Sequence, residues 1–422
     1  MSAPPSETEQ RVLAALDEDA LVETLAELVR VPSVTGSAEE GEVQHLLAER
    51  YRAAGLEVDL WAEDLDELRA DPAFPGTEAP REEAWGLVGT TPGEGEPALV
   101  LNGHVDVVPV GDRWSWAHDP FAAEVQDGRL HGRGACDMKA GVAVNLAVAQ
   151  ALARSGVRTE RRLALHSVVG EEDGGLGAFA TLRRGHTGEA VVITEPTAGR
   201  LLTANAGALT FRIEVPGRAA HGSTRLEGQS ALESFLVVHE ALRALETARN
   251  ADPDPLFQQT PLPYAITVGT VHAGDWASSV PDLLTAEGRL GVVLGESTRT
   301  AAAELERAVA EAAAGDPWLR DHPPRVTWPG GRFASGRLPE GHPLADEVAG
   351  AAAAVGMPLP STGAAPYGSD LRLYAGDGVP TLQFGPGDVR LAHSTRESVD
   401  LAQVVAVARA LTVLAVRRLE AH

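Results

Sequence analysis

Ala98-Leu99-Val100-Leu101-Asn102-Gly103-His104-Val105-Asp106 reads as a short apolar strand that runs out into a glycine and then presents a histidine and a carboxylate. A run that is apolar at every position, and not at every second one, marks a strand buried on both faces. In extended chain, residues i and i+2 point the same way, so His104 and Asp106 can face one site. Alone such a pair is weak, because an isolated histidine is more often a hydrogen-bonded structural residue.

Working outward, the same texture returns. Gly132-Arg133-Gly134-Ala135-Cys136-Asp137-Met138-Lys139-Ala140-Gly141 holds the only Cys and the only Lys of 422 residues, in a chain that otherwise uses Arg as its cation. Its first two glycines let the backbone bend tightly before Asp137, and an apolar helix is predicted over 140–154. Residues 162–169 form a second apolar strand, followed by Gly170-Glu171-Glu172-Asp173-Gly174-Gly175 and a helix from 177. A third strand, 190–194, leads straight into Glu195, and His393 lies in a loop after a strand at 380–384. Alternating β and α segments predict an α/β fold with a mostly parallel sheet. In such sheets the site lies at the carboxyl ends of the strands. Four strand ends that each offer a histidine or carboxylate are a strong combined signal.

The flanks fill in the domain plan. Helices are predicted over 20–31 and 38–54, a strand over 56–61, and an acidic, irregular excursion over 64–81, broken by Pro72, Pro75 and Pro80. From about residue 207 the texture changes. Strands at 208–215, 264–271, 283–294 and 325–328 with helices at 227–248 and 298–314 give the order βαββαβ, an α+β module of the ferredoxin-like, split-βαβ type. The plan is an α/β domain over 1–206 and 331–422, interrupted by an inserted module over 207–330.

Composition excludes several classes. A net charge of −25 with no basic stripe leaves no nucleic-acid partner to expect. No apolar run is long enough to span a bilayer. One Cys rules out an internal disulfide framework and fits a reducing cytoplasm. The opening residues, Met1 to Glu9, lack basic and apolar leader regions, so no signal peptide is expected.

Two histidines with several carboxylates suit Zn, or Co and Mn. Two such ions polarise a carbonyl and lower the pKa of a water between them. A free carboxylate must then move the proton, and either Glu171 or Glu172 can serve while the other is a ligand.

Taken in order, these motifs resemble the metallopeptidase and amidohydrolase family of acetylornithine deacetylase, succinyl-diaminopimelate desuccinylase, aminoacylase-1 and glutamate carboxypeptidase, over roughly residues 20–420. The resemblance implies a catalytic domain carrying two divalent metal ions and an inserted lid that often dimerises. It implies that His104, bridging Asp137 and Glu195 hold one ion and that Asp137, Glu172 and His393 hold the other. Glu171 would be the general base, Asp106 would orient His104, and the Asp137–Met138 peptide would be cis. His221 would donate to the developing oxyanion, Arg289 would bind a substrate carboxylate, and the backbone of Gly385 and Gly387 would offer N–H groups to it. Ser279 stands where the family frequently has Asn, which puts one substrate contact in doubt. His131, His166, His186, His272 and His342 match no role. The expected reaction is deacylation of an N-acyl amino acid, with a dipeptidase or carboxypeptidase as the alternative. A catalytically dead binding relative and a metal-free α/β domain are the rivals from other classes.

Overall fold

The computed structural model describes residues 4–420, so Met1-Ser2-Ala3, where the reading for a leader begins, lies outside the described residues. The chain divides into two compact units. The first runs to Thr203 and resumes over Arg337–Gly363 and from Asp370. The second comprises Ala204–Gly336 with Ala364–Ser369, which compares with the 207–330 read from sequence.

In the first unit, strand Pro97–His104 pairs parallel with Arg162–Val168 on one side and Val191–Ile193 on the other, and Val191–Ile193 pairs parallel with Thr381–Gln383. Antiparallel strands Trp85–Thr90 and Glu57–Ala62 extend one edge, while Leu201–Asn205 extends the other as the chain leaves the unit. The sheet is therefore mixed, with a parallel centre.

Burial on both faces follows the strand period of two. Leu99, Leu101, Leu163, Leu165 and Val192 belong to the main core, which also takes in helices Glu18–Arg30, Lys139–Ser155 and Leu401–Glu420. Val100, Ala164, Val168, Val191 and Ile193 join Ala178, Leu371 and Tyr374 in a second cluster. The strands need no polar face because helices cover both.

The second unit has the predicted order. Strands lie antiparallel as Ile266–Ala273, Leu283–Val292, Gly207–Pro216, Arg325–Thr327. Phe211, Ile213, Leu284 and Leu290 of this sheet pack with Phe235, Val238, Leu242, Leu305 and Val309 from helices Ala231–Arg249 and Thr298–Gly315.

Several elements depart from expectation, among them strand Leu201–Asn205 and helix Leu371–Gly376. Helix Glu7–Ala14 and strand Trp85–Thr90 were not read from the sequence, and the excursion at 64–81 opens with a short helix, Leu65–Ala70. Among the described residues, no helix is long and apolar enough to cross a membrane.

Candidate metal centre

His104 is the last residue of its strand, and Glu171 and Glu195 follow the ends of strands Arg162–Val168 and Val191–Ile193. Parallel neighbours in register deliver all three to the same edge of the sheet. Asp137 stands in the loop before helix Lys139–Ser155, across a cis Asp137–Met138 peptide. His393 comes from a loop and adopts a left-handed backbone, φ 58°.

These side chains converge. Asp137 Oδ1 lies 3.2 Å from His104 Nε2, and its Oδ2 lies 3.6 Å from His393 Nε2. One carboxylate thus faces two imidazoles, one per oxygen. On the first side Glu195 Oε2 is 4.0 Å from His104 Nε2; on the second Glu172 Oε1 is 3.1 Å from His393 Nε2. Ligand atoms of His104, Glu171 and Glu195, and of His104, Asp137 and Glu172, lie within 4.8 Å of one another in each set.

The electrostatics of this group are lopsided. Burial pushes the Glu171 and Glu195 carboxyls well above the usual range, and neighbouring carboxylates add to the effect. Burial and Asp137 raise Glu172 despite the hydrogen bond with His393. Burial raises Asp137 as well, but there the hydrogen bonds to His104 and His393 prevail and hold it low. His393 is raised to about 10 by its hydrogen bonds to Asp137 and Glu172. Burial disfavours a charged His104, yet the bond to Asp137 and the charges of Asp106 and Glu195 lift it well above its ordinary value. Four carboxylates gathered around buried His104 and exposed His393 call for positive charge, and Glu171 Oε1 is buried with no hydrogen-bond partner. This oxygen- and nitrogen-rich donor set fits divalent cations of the Zn, Co or Mn type.

Asp106 does more than face His104. Its carboxylate accepts from the backbone N–H of Glu171 at 3.1 Å and of Glu172 at 3.2 Å, and from Thr35 Oγ1 at 3.0 Å. His104 Nδ1 lies 3.0 Å from the Asp106 carbonyl oxygen and 3.5 Å from its Oδ1. A donating Nδ1–H fixes the ring so that Nε2, which hydrogen-bonds Asp137, faces Asp137 and Glu195 and can serve as a ligand once its proton is displaced.

Glu397 was missed as an individual residue. Its Oε1 accepts from the N–H groups of Gly134 (2.9 Å), Cys136 (3.1 Å) and Asp137 (3.2 Å), and its Oε2 pairs with Arg133. It holds the loop that carries Asp137. The one signal was its place in the Ala392 to Glu397 stretch, four residues after His393.

The expectation for the glycine loop needs correcting. Gly385 N–H donates to Thr197 Oγ1 (3.1 Å) and Gly387 N–H to Gln403 Oε1 (2.8 Å), so both groups are engaged inside the protein. Glycine is required at 385 for another reason: a side chain there would collide with the backbone oxygens of Thr194 and Glu195. His221, Ser279 and Arg289 belong to the second unit. His221 is exposed and forms an isolated bridge with Ser279, its Nδ1 2.8 Å from Ser223 Oγ. Arg289 Nη2 donates to Pro366 O at 3.1 Å.

A sequence model of peptidase family M20/M25/M40 matches residues 100–417. The chain is 28% identical over 386 residues, 86% of each chain, to an N-formyl-4-amino-5-aminomethyl-2-methylpyrimidine deformylase of Bacillus subtilis. It is 35% identical over 230 residues to a succinyl-diaminopimelate desuccinylase of Methylorubrum populi, covering 51% of this chain and 55% of the relative. Among solved structures, the dipeptidase Dug1p of Saccharomyces cerevisiae superposes with a TM-score of 0.76 at 14% identity, over 97% of this chain and 98% of that one. That last likeness concerns the fold alone.

Proposed function

The chain belongs to peptidase family M20/M25/M40, and from that premise we propose a dinuclear-metal amidohydrolase that removes the acyl group from an N-acylated amine, N-acyl amino acids being the leading class. The observation that carries this reading is Asp137, whose two carboxylate oxygens each face a different imidazole.

In this reading His104, Asp137 and Glu195 would hold one ion, and Asp137, Glu172 and His393 would hold the other. When bound, two divalent ions (Zn, with Co or Mn as alternatives) polarise the scissile carbonyl and make water acidic enough to attack at neutral pH. Glu171 brings the unpartnered Oε1 needed to take that water's proton. Returning the proton to the leaving nitrogen completes the balance: amide plus water gives carboxylic acid and amine. Asp106 holds the backbone of Glu171 and Glu172 so that the base stays aimed. His221, Ser279 and Arg289 are the second unit's candidates for substrate contact, Arg289 offering a planar fork for a carboxylate.

Both curated relatives are named for acyl removal from an amine, one formyl and one succinyl. That favours a deacylase over a dipeptidase, the second reading, which rests on fold likeness. Amine release from N-formyl, N-acetyl and N-succinyl amines and amino acids, and from dipeptides, separates the two on chelator-stripped protein with and without Zn or Co. Metal-dependent release from acyl amines alone is the expected result; release from dipeptides alone overturns it. Glu171→Ala should keep both ions and lose kcat by several orders of magnitude. Near-normal turnover in that variant would remove Glu171 from its role.

A further inference from the structure

The acidic, proline-broken excursion at 64–81 has no part in the chemistry above, yet its last residue reaches the underside of the site. Arg81 is a fully buried cation, its side chain 0% exposed. Nη1 lies 3.2 Å from Glu40 Oε2 and Nη2 lies 3.1 Å from Asp173 Oδ1. Both partners pass the contact on to backbone. Glu40 Oε1 accepts the N–H of Gly170 at 3.0 Å, and Asp173 Oδ2 accepts the N–H groups of Glu78 at 3.2 Å and Ala79 at 2.9 Å.

Gly170 and Asp173 are the residues on either side of Glu171-Glu172. We propose that the excursion is a positioning element and that Arg81, by joining Glu40 to Asp173, clamps both ends of the segment that carries the general base and one metal ligand. Gly170 fits the clamp: its φ is +63°, and a Cβ there would stand 2.8 Å from Arg81 Nη2. Glu40, Asp173 and Asp106 are the charges acting on the guanidinium. Without Arg81, Glu40 and Asp173 would lose the cation that joins them, and burial beside Asp106 would drive both toward the neutral form, a weaker acceptor for the backbone N–H groups they hold. A planar guanidinium spans two carboxylates with separate N–H groups, which an ammonium does not reproduce. Arg81 touches no reacting atom in this scheme and acts through the backbone of 170–173.

The proposal rests on the amidohydrolase reading for its kinetic arm only. The test uses the full-length, Zn-loaded chain with Arg81→Met and Arg81→Lys. Amide hydrogen exchange is followed in 170–175 and, as a control, in helix Lys139–Ser155, while kcat and KM are measured on whichever amide the wild type turns over. Arg81→Met should speed exchange in 170–175 at least about tenfold with the control helix unchanged. It should lower kcat by on the order of 100-fold with KM within about threefold, the expected result of a small misplacement of the base. Arg81→Lys should fall between. If Arg81→Met does not fold, faster exchange in 170–175 of Arg81→Lys, with the control helix unchanged, decides in favour. Unchanged exchange in 170–175, or an equal rise in the control helix, overturns the clamp. Should the wild type hydrolyse no amide, the functional reading fails while the exchange arm still decides for or against Arg81.

Discussion

Glu397 shows how much of the candidate metal centre is built by residues outside its ligand set. Three backbone N–H groups and the Arg133 guanidinium converge on this one buried carboxylate, and the loop they define ends at Asp137. Glu397→Ala would leave an uncompensated buried cation and three unpaired donors, costing about 3–5 kcal/mol. Urea unfolding should show that loss, and Zn titration should show weaker binding as Asp137 loses its support. Glu397→Gln keeps an acceptor but not the charge, so it should fall between. Wild-type stability in Glu397→Ala would mean that the loop holds itself. Lys139 gives the complementary lesson. Its rarity in the sequence was plain, but its direction was not: Nζ donates to Leu28 O at 2.9 Å and Val31 O at 2.8 Å. It ties the site loop to the end of helix Glu18–Arg30, and burial pushes its pKa down to about 7. Partners more than a hundred residues away leave no local mark in sequence.

Elements were legible wherever one period dominated. Strand Pro97–His104 and helix Lys139–Ser155 announced themselves because both are apolar almost throughout. Strand Trp85–Thr90 did not, since Gly86 and Gly89 dilute its pattern. Both lie where a neighbouring aromatic ring, Trp61 or Tyr51, occupies the space of a side chain. Helix Glu7–Ala14 carried a readable signal that went unused, the Ser6 and Glu9 capping box. Strand Arg162–Val168 also carries His166, for which the sequence offered no role. Tyr374 O–H donates to Asn102 Oδ1, so its oxygen is left to accept from His166 Nδ1–H at 2.8 Å. Burial pushes the His166 pKa down to about 3. Between about pH 3 and 6.5 the unfolded chain therefore binds a proton that the folded chain refuses. Stability must fall as pH drops through that window, at up to about 1.4 kcal/mol per pH unit from this residue. Urea unfolding of wild type and His166→Gln between pH 4 and 7 should give a shallower acid slope for the variant. Parallel slopes would mean that His166 accepts its proton in the folded state.

At the scale of the whole molecule, the candidate ligands His104, Glu171 and Glu195 were legible because each stands where an apolar strand stops, whereas Asp137 and His393 sit in loops and were legible only in combination with them. Substrate contacts were not, because they depend on side chains whose surroundings no period encodes; the engaged N–H groups of Gly385 and Gly387 are the instance. The same architecture concentrates negative charge in a chain already at −25. Without cations, Glu171, Glu172 and Glu195 hold protons more tightly than they do in the unfolded chain, and so do His104 and His393. Groups with raised folded pKa values stabilise the fold below their unfolded values, and that stability is lost as pH rises through the folded ones. Asp137, held low, acts only below about pH 4; within this range His166 and, above about pH 7, Lys139 act in the opposite sense, two groups against five. Chelator-stripped protein should therefore lose thermal stability as pH rises from about 5 to 9. Bound divalent ions supply the missing charge and release those protons, so Zn-loaded protein should be more stable, with the gap widening toward high pH. Scanning calorimetry of both forms across that range checks the sign. A gap that is constant or narrows with pH would mean that the cations bind somewhere other than among these carboxylates.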